Sequence, residues 1–258
     1  MTEHWNKSYS RILGREMEYG VFGDAGKLCF AFPPQNGRFY DFPNFGMVDV
    51  VRPWIDAGRL RIVCPDGIDG ESWSSPDDNC RARIEMQEKW FHYIVDELLP
   101  EVSGQQAGSA GEGNDPCGKA MACGCSMGGV HAGVFFFRRP DLFDTMLSMS
   151  GLFNADFFFK GYMDDLVYAN SPVHFLRNMP EDHPWMDLYR RSRIITCVGQ
   201  GAWEDDLLAG TRELDAVLTE KNIPHWSDYW GHDVNHDWDW WQKQFPYFME
   251  HILGPANG

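Results

Sequence analysis

The sequence predicts an α/β protein with a mostly parallel central sheet and helices on both of its faces. Short apolar runs alternate along the chain with amphipathic stretches, and this alternation is typical of strands joined by helical crossovers. The apolar runs are nearly continuous, with few polar residues inside them. Such runs indicate strands that are buried on both faces of a sheet.

The predicted strands are runs of branched and aromatic residues that end on Gly, Pro or Ser. EYGVFGD and KLCFAFPP are separated by Gly23-Asp24, and this short turn predicts that the two strands form a hairpin. The later predicted strands are LRIVCPDG, KAMACGCS, FDTMLSMSG, RIITCVGQG and HWSDYWG.

Three segments repeat apolar residues at spacings of three and four, which predicts helices over 83–102, 207–222 and 237–253. The Gly- and Ser-rich stretch 102–118 follows the first helix and precedes a strand. Its composition predicts a flexible surface loop. We expect this loop to interrupt a single domain that covers residues 1–258.

Charge and length restrict the classes of partner. The chain has 258 residues and a formal net charge of −16. This length is enough to bury roughly three-quarters of the surface that the unfolded chain exposes. Phosphate binding needs clustered Lys and Arg, so we expect neither nucleic acid nor a membrane as partner.

Cysteine use and the N-terminal sequence indicate a cytoplasmic protein. The seven cysteines are an odd number at scattered positions. Cys123-Gly124-Cys125 is not the C-x-x-C pair of zinc sites, so we expect free thiols in a reducing compartment. The first 20 residues contain no apolar signal-peptide core, and no run reaches the length of a membrane span.

The motif Gly124-Cys125-Ser126-Met127-Gly128 has the pattern G-x-S-x-G. A predicted strand enters it and a predicted helix leaves it, which is the context of a nucleophile elbow. The sharp turn at the serine requires small residues two positions away on each side, and both are glycine. The alternative role for Ser126 is a simple helix N-cap, but the context favours a nucleophile.

A serine nucleophile needs a base and an acid that orients the base. In this architecture the acid follows the next-to-last strand and the base follows the last one. His236, before the last helix, is the favoured base, with His232 as the alternative. Glu204, Asp205 and Asp206 are three adjacent carboxylates where the acid is expected; Asp205 is the favoured acid and Glu204 is second.

Two backbone N–H groups are needed to bind the oxyanion of a tetrahedral intermediate. The first is expected from Met127, directly after the serine. The second is expected from the loop PPQNG after the strand KLCFAF. Its two prolines have no N–H to donate, so Gln35 is the favoured donor, followed by Asn36 and Gly37.

The chain resembles the putative-esterase branch of the α/β-hydrolases, whose relatives include esterase D, feruloyl esterases and mycolyltransferases. The segments that carry the resemblance are GCSMGG, RRPDLFDTMLSMSGLF, YANSPVHFL, VGQGAWEDDLLAGTRELDAVLTEKNIPH and HDWDWWQKQFPYFMEHIL. The resemblance implies an α/β-hydrolase fold with Ser126 as nucleophile, His236 as base and Asp205 as acid. The loop PPQNG differs from the His-Gly or Asp-Gly start found in many relatives.

These observations predict a carboxylesterase-type serine hydrolase that forms an acyl-enzyme and needs neither metal nor organic cofactor. The expected partner is a small-molecule ester; a homo-oligomer is left open. Acyl transfer by the same triad, peptidase or thioesterase activity, and a non-catalytic binding module are the alternatives.

A small, aromatic or sugar-like ester would suit the aromatic residues near the expected site. The candidate binding residues are Phe39, Tyr40, Trp203 and Trp238. Phe42, Trp73 and Phe153 are further aromatic residues expected near the site, and core packing is the alternative role for all seven.

Overall fold

The computed structural model describes residues 1–107 and 118–256. An eight-stranded sheet with the order β1-β2-β4-β3-β5-β6-β7-β8 crosses the molecule. The strands are β1 Glu3–Ser10, β2 Arg15–Phe22, β3 Lys27–Phe32, β4 Leu60–Pro65, β5 Ala120–Cys125, β6 Phe143–Met149, β7 Arg193–Val198 and β8 Trp226–Tyr229. All pairs from β4 to β8 are parallel, while β1 and β2 join antiparallel at one edge. The mostly parallel sheet and the α/β-hydrolase fold are therefore confirmed.

The helices surround this sheet. They are α1 Asp41–Asn44, α2 Arg52–Asp56, α3 Cys80–His92, α4 Leu99–Ala107, α5 Met127–Arg138, α6 Asp156–Phe159, α7 Asp165–Ala169, α8 Pro172–Asn178, α9 Pro184–Arg191, α10 Asp205–Glu220 and α11 Trp238–Leu253. A π-helical segment, Tyr93–Leu98, joins α3 to α4. None of the helices in residues 1–107 and 118–256 combines the length and apolar character needed to cross a membrane.

Each face of the sheet has its own hydrophobic core. In β5, Ala120 and Ala122 pack on the side of α3, α5 and α10. The alternate residues Met121, Cys123 and Cys125 pack on the side of α2 and α11. Because successive side chains of a strand point to opposite faces, burial of both faces explains why this strand reads as a continuous apolar run.

The predicted hairpin between EYGVFGD and KLCFAFPP is wrong. The first of these strands pairs with β1 and β4, and the second pairs with β4 and β5. The connecting turn instead passes over the start of β4: a Cβ on Gly26, which has a φ of +98°, would lie 2.1 Å from the carbonyl carbon of Arg59. This close approach lets the chain place one strand on each side of β4.

The predicted loop at 102–118 begins later than expected, because α4 continues to Ala107. Val102 is fully buried, and its carbonyl accepts a hydrogen bond from Nη1 of Arg61 at 2.9 Å. These contacts stabilise the helix beyond its predicted end. The rest of the predicted loop, 108–117, lies outside the described residues.

Candidate active site

The backbone at Ser126 has the geometry of a sharp strand-to-helix turn. Ser126 has φ +57° and ψ −126°, and its side chain caps no amide of the following helix. A Cβ on Gly124 would lie 2.3 Å from the backbone of Gly128, and a Cβ on Gly128 would lie 2.2 Å from the carbonyl oxygen of Phe32. Only glycine fits at these two positions, so the turn depends on both ends of the motif.

The Ser126 hydroxyl faces the ring of His236. The distance from Oγ of Ser126 to Nε2 of His236 is 2.9 Å. The backbone N–H of His236 donates to the carbonyl of Ala202 at 3.0 Å, and the edge-to-face contact with Trp241 has a centroid distance of 4.8 Å. The alternative histidine, His232, is exposed and lies against the carbonyl of Gln200. The structure therefore brings His236, and not His232, to the serine.

The carboxylate beside His236 belongs to Glu204. Its Oε2 lies 3.5 Å from Nδ1 of His236, and its side chain is only 1% exposed. Asp205, the residue expected to orient His236, does not lie beside it. Asp205 and Asp206 are instead exposed residues of the first turn of α10. Trp203 has a left-handed φ of +67°, which turns the backbone just before Glu204. The carboxylate that faces His236 is therefore Glu204, one residue before the expected Asp205.

Ser150 holds the other oxygen of this carboxylate. Its Oγ donates to Oε1 of Glu204 at 2.7 Å and accepts from Nε1 of Trp241 at 3.3 Å. Ser150 is fully buried and has a φ of +56°. The sequence reasoning missed this residue. The available signal was its position directly after β6, at the carboxyl edge of the sheet where ligand sites of parallel sheets lie.

The five-residue loop 33–37 begins beside the serine turn, because a Cβ on Gly128 would lie 2.9 Å from the carbonyl oxygen of Pro33. The amide of Asn36 donates to Oδ2 of Asp69 at 3.3 Å, and the amide of Gly37 donates to the carbonyl of Pro34 at 2.8 Å. Within the described part of the chain, no hydrogen bond occupies the Gln35 amide. Asn36 and Gly37, the second and third choices for a donor, are thus already engaged.

The candidate aromatic residues divide into exposed and buried groups. Trp203 is 86% exposed and Tyr40 is 38% exposed. Trp238 stacks on Phe45 at a centroid distance of 4.4 Å, and Phe39 packs edge-on against Trp5 and Tyr40. Three further aromatic residues are buried core residues and unavailable to a ligand. These are Phe42, Trp73 and Phe153.

Cys125 directly precedes the serine but does not compete with it. Burial raises the pKa of its thiol well above the usual range. Burial likewise raises the pKa of the Cys197 thiol, with smaller contributions from Asp228 and Glu204. Because the thiolate is the reactive form of cysteine, this burial disfavours reaction at either thiol.

Comparison with solved structures shows the same fold at low sequence identity. A ferulic acid esterase has a TM-score of 0.73 and 18% identity, over 98% of both chains. An S-formylglutathione hydrolase from Agrobacterium tumefaciens has a TM-score of 0.72 and 13% identity, over 97% of this chain and 94% of that chain. A fluorophosphonate-binding serine hydrolase from Staphylococcus aureus has a TM-score of 0.69 and 12% identity, over 98% and 99%.

Sequence comparison gives the family. A search of curated proteins found no match. The family described as "Putative esterase" matches residues 40–252, a range that contains Ser126, Glu204 and His236. With most of the chain inside this match, the protein belongs to the putative esterase family, and its fold is the α/β-hydrolase fold.

Proposed function

We propose that the protein hydrolyses carboxylic esters through an acyl-enzyme on Ser126. The observation that carries this proposal is the 2.9 Å contact between Oγ of Ser126 and Nε2 of His236 at a left-handed strand-to-helix turn. A serine hydroxyl becomes an effective nucleophile when a neighbouring base takes its proton. The proposal applies to the candidate residues, Ser126 as nucleophile and His236 as base.

The first half-reaction forms the acyl-enzyme. Oγ of Ser126 attacks the ester carbonyl carbon while its proton moves to Nε2 of His236. The carbonyl oxygen becomes an oxyanion, and the amides of Met127 and Gln35 donate to it. The tetrahedral intermediate collapses when the C–O bond to the leaving alcohol breaks, and His236 returns the proton to that alcohol.

The second half-reaction releases the acid. His236 removes a proton from a water molecule, which attacks the acyl carbon of the ester on Ser126. Collapse of the second tetrahedral intermediate breaks the bond to Oγ and returns the proton to the serine. The same amides stabilise both intermediates, because both place negative charge on the same oxygen.

Glu204 is the proposed orienting acid. Its 3.5 Å separation from Nδ1 of His236 is longer than an ordinary hydrogen bond, and catalytic contacts are often long before substrate binds. As His236 gains a proton, its positive charge attracts the buried carboxylate. The bond from Ser150 to the far oxygen of Glu204 leaves Oε2 as the oxygen that meets the ring.

The substrate class we propose is a small ester with an aromatic or sugar-like group. Support comes from the exposed aromatic faces of Trp203 and Tyr40 beside the loops that carry Glu204 and Gln35. Exposed aromatic rings bind flat apolar groups well. A similar structure is named a ferulic acid esterase, and that name is consistent with this choice.

The experiment combines labelling with turnover. A p-nitrophenyl ester should give a burst of p-nitrophenol followed by steady hydrolysis, and a fluorophosphonate should block both. Mass spectrometry should place the phosphonyl group on Ser126. Ser126→Ala should lower kcat by about a million-fold, as loss of a triad nucleophile typically does.

The matched control is Ser8→Ala, since Ser8 lies on the edge strand β1, and it should keep full activity. Product analysis with added alcohols separates hydrolysis from acyl transfer. Near-normal turnover by Ser126→Ala, or a phosphonyl group on another residue, would contradict the mechanism.

A further inference from the structure

Asp69 and His131 form a buried polar pair close to the proposed site. Nε2 of His131 lies 2.9 Å from Oδ1 of Asp69, and each side chain is 1% exposed. The proposed proton transfers use neither residue. Burying a pair of this kind costs free energy that the attraction between the two groups often fails to recover. Stability alone is therefore a weak explanation for this pair.

Asp69, the acidic residue of this pair, contacts the loop that carries Gln35. Oδ2 of Asp69 accepts the Asn36 amide at 3.3 Å, which fixes the peptide plane that follows Gln35. Asn36 has a left-handed φ of +57°. A Cβ on Gly67 would lie 2.6 Å from the Gly37 carbonyl oxygen, so the segment before Asp69 packs directly on this loop.

His131, the other residue of the pair, belongs to the helix that begins directly after Ser126. His131 lies on α5, whose first residue is Met127, so the two residues are one helical turn apart. The ring of His131 lies among aromatic rings, with Trp90 at a centroid distance of 4.7 Å and Phe32 at 6.2 Å. In such a low-dielectric environment a hydrogen bond is electrostatically stronger than in water.

We propose that Asp69 and His131 are positioning residues. They hold the two proposed oxyanion donors, the Gln35 and Met127 amides, at a fixed distance and orientation relative to each other. Asp69 fixes the loop of the first donor, and His131 fixes that loop to the helix of the second. This inference rests on the proposed function, because it assigns a role in stabilising the same oxyanion.

The expected signature is a loss in kcat with little change in KM. Oxyanion donors act mainly in the transition state, and removing one costs about a hundred- to a thousand-fold in kcat. Displacing a donor without removing it should cost less, about ten- to a hundred-fold. Loss of an interaction made only in the transition state lowers kcat and kcat/KM equally.

The experiment uses two variants of the full chain. Asp69→Asn tests the carboxylate alone. The double variant Asp69→Leu/His131→Phe replaces the buried polar pair by apolar groups, a change that often maintains stability. For each we would measure kcat and KM on a p-nitrophenyl ester, and the affinity for a trifluoromethyl ketone, whose adduct with serine carries an oxyanion. We expect the affinity for the ketone to fall in parallel with kcat, while KM stays within about twofold of wild type.

Glu97→Gln is the matched control. Oε1 of Glu97 accepts the amides of Arg11 and Ile12 at 2.9 and 3.3 Å, so it holds a different loop by the same kind of contact. This variant should lose stability but keep kcat and ketone affinity.

A folded variant of the Asp69–His131 pair with wild-type kcat and ketone affinity would overturn the proposal. So would failure of both variants to fold, because the pair would then serve stability. An inactive wild-type protein would instead contradict the proposed function itself, so the two failures are distinguishable.

Discussion

Three adjacent carboxylates, residues 204–206, follow β7. The backbone turn at Trp203, directly before them, precedes the one that points towards His236. A left-handed φ is unusual for a bulky residue, and here it precedes Glu204 directly. Glu204 is buried beside His236, while Asp205 and Asp206 begin α10 in solvent. The left-handed turn at Trp203 and the hydrogen bond from Ser150 thus accompany the one buried carboxylate of the three.

Glu204→Gln should lower kcat by about ten-thousand-fold, the cost found when the orienting acid of a serine protease becomes an amide. Asp205→Asn should keep kcat within about twofold of wild type, because its side chain is exposed. Steady-state kinetics of the two purified variants checks this pair. A dead Asp205→Asn with an active Glu204→Gln would reverse the assignment.

Ser150→Gly tests the support of Glu204 without straining the backbone, since glycine adopts a positive φ freely. A hydrogen bond to a charged group contributes about 1.5–3 kcal/mol, so we expect kcat to fall at least about tenfold. Because Ser150 acts through Glu204, the same change should cost nothing further in a Glu204→Gln background. Equal losses in both backgrounds would show that Ser150 acts independently of the acid.

At the scale of elements, the site is a junction of β5, α5 and the loop after β3. The parallel strands end at the same edge of the sheet, and the short turns that follow β5, β6 and β7 bring Ser126, Ser150 and Glu204 together. The contact of Gly128 with the Phe32 carbonyl joins the nucleophile turn to the loop of Gln35. The two proposed oxyanion donors thus depend on one close approach of backbones.

Gly128→Ala should therefore reduce both stability and turnover. Its Cβ would lie 2.2 Å from a backbone oxygen, so the two segments must separate, and overpacking of this kind costs about 1–3 kcal/mol. Gly104→Ala is the opposite case, because its Cβ would meet nothing within 4 Å inside α4. That variant should gain about 0.5–1 kcal/mol from helix propensity. Urea unfolding measures both, and a destabilised Gly104→Ala would contradict this account of α4.

At the scale of the whole molecule, two hydrogen-bonded carboxylates, Asp141 and Asp215, make stability depend on pH. Hydrogen bonding to Arg139 lowers the pKa of Asp141. Burial alone would raise the pKa of Asp215, but hydrogen bonds from His225, Ser227 and Tyr229 outweigh it and lower the pKa. Each contribution is present above the carboxyl's unfolded pKa of about 3.9 and is lost as pH falls through the lower, folded value.

The free energy of unfolding should therefore decrease as pH falls below about 4. Asp215→Asn should make this decrease shallower, because the amide does not titrate. Asp182→Asn, a change at an exposed surface carboxylate, should leave the slope unchanged. Urea unfolding between pH 3 and pH 6, at steps of about half a pH unit, measures all three proteins. Parallel curves for wild type and Asp215→Asn would contradict the linkage.

Local patterns in the sequence determined the alternating strands and helices and the serine turn. Each of these depends on neighbouring residues, such as apolar periodicity or small residues around a sharp turn. The helices α10 and α11 begin and end within two residues of their predicted bounds. The edge strand β1 was missed, because most of its side chains are exposed and its polar sequence carries no apolar run.

Only the tertiary structure decided the position of β4 between β2 and β3, the choice of Glu204, and the contacts of Ser150 and Asp69. Ser150 meets a residue 54 positions away, and Asp69 meets one 62 positions away. A carboxylate or hydroxyl looks the same in sequence whether it faces solvent or a buried partner. What selects between these is the direction of the backbone at that residue and the segment that packs against it, and both are fixed only when the chain folds.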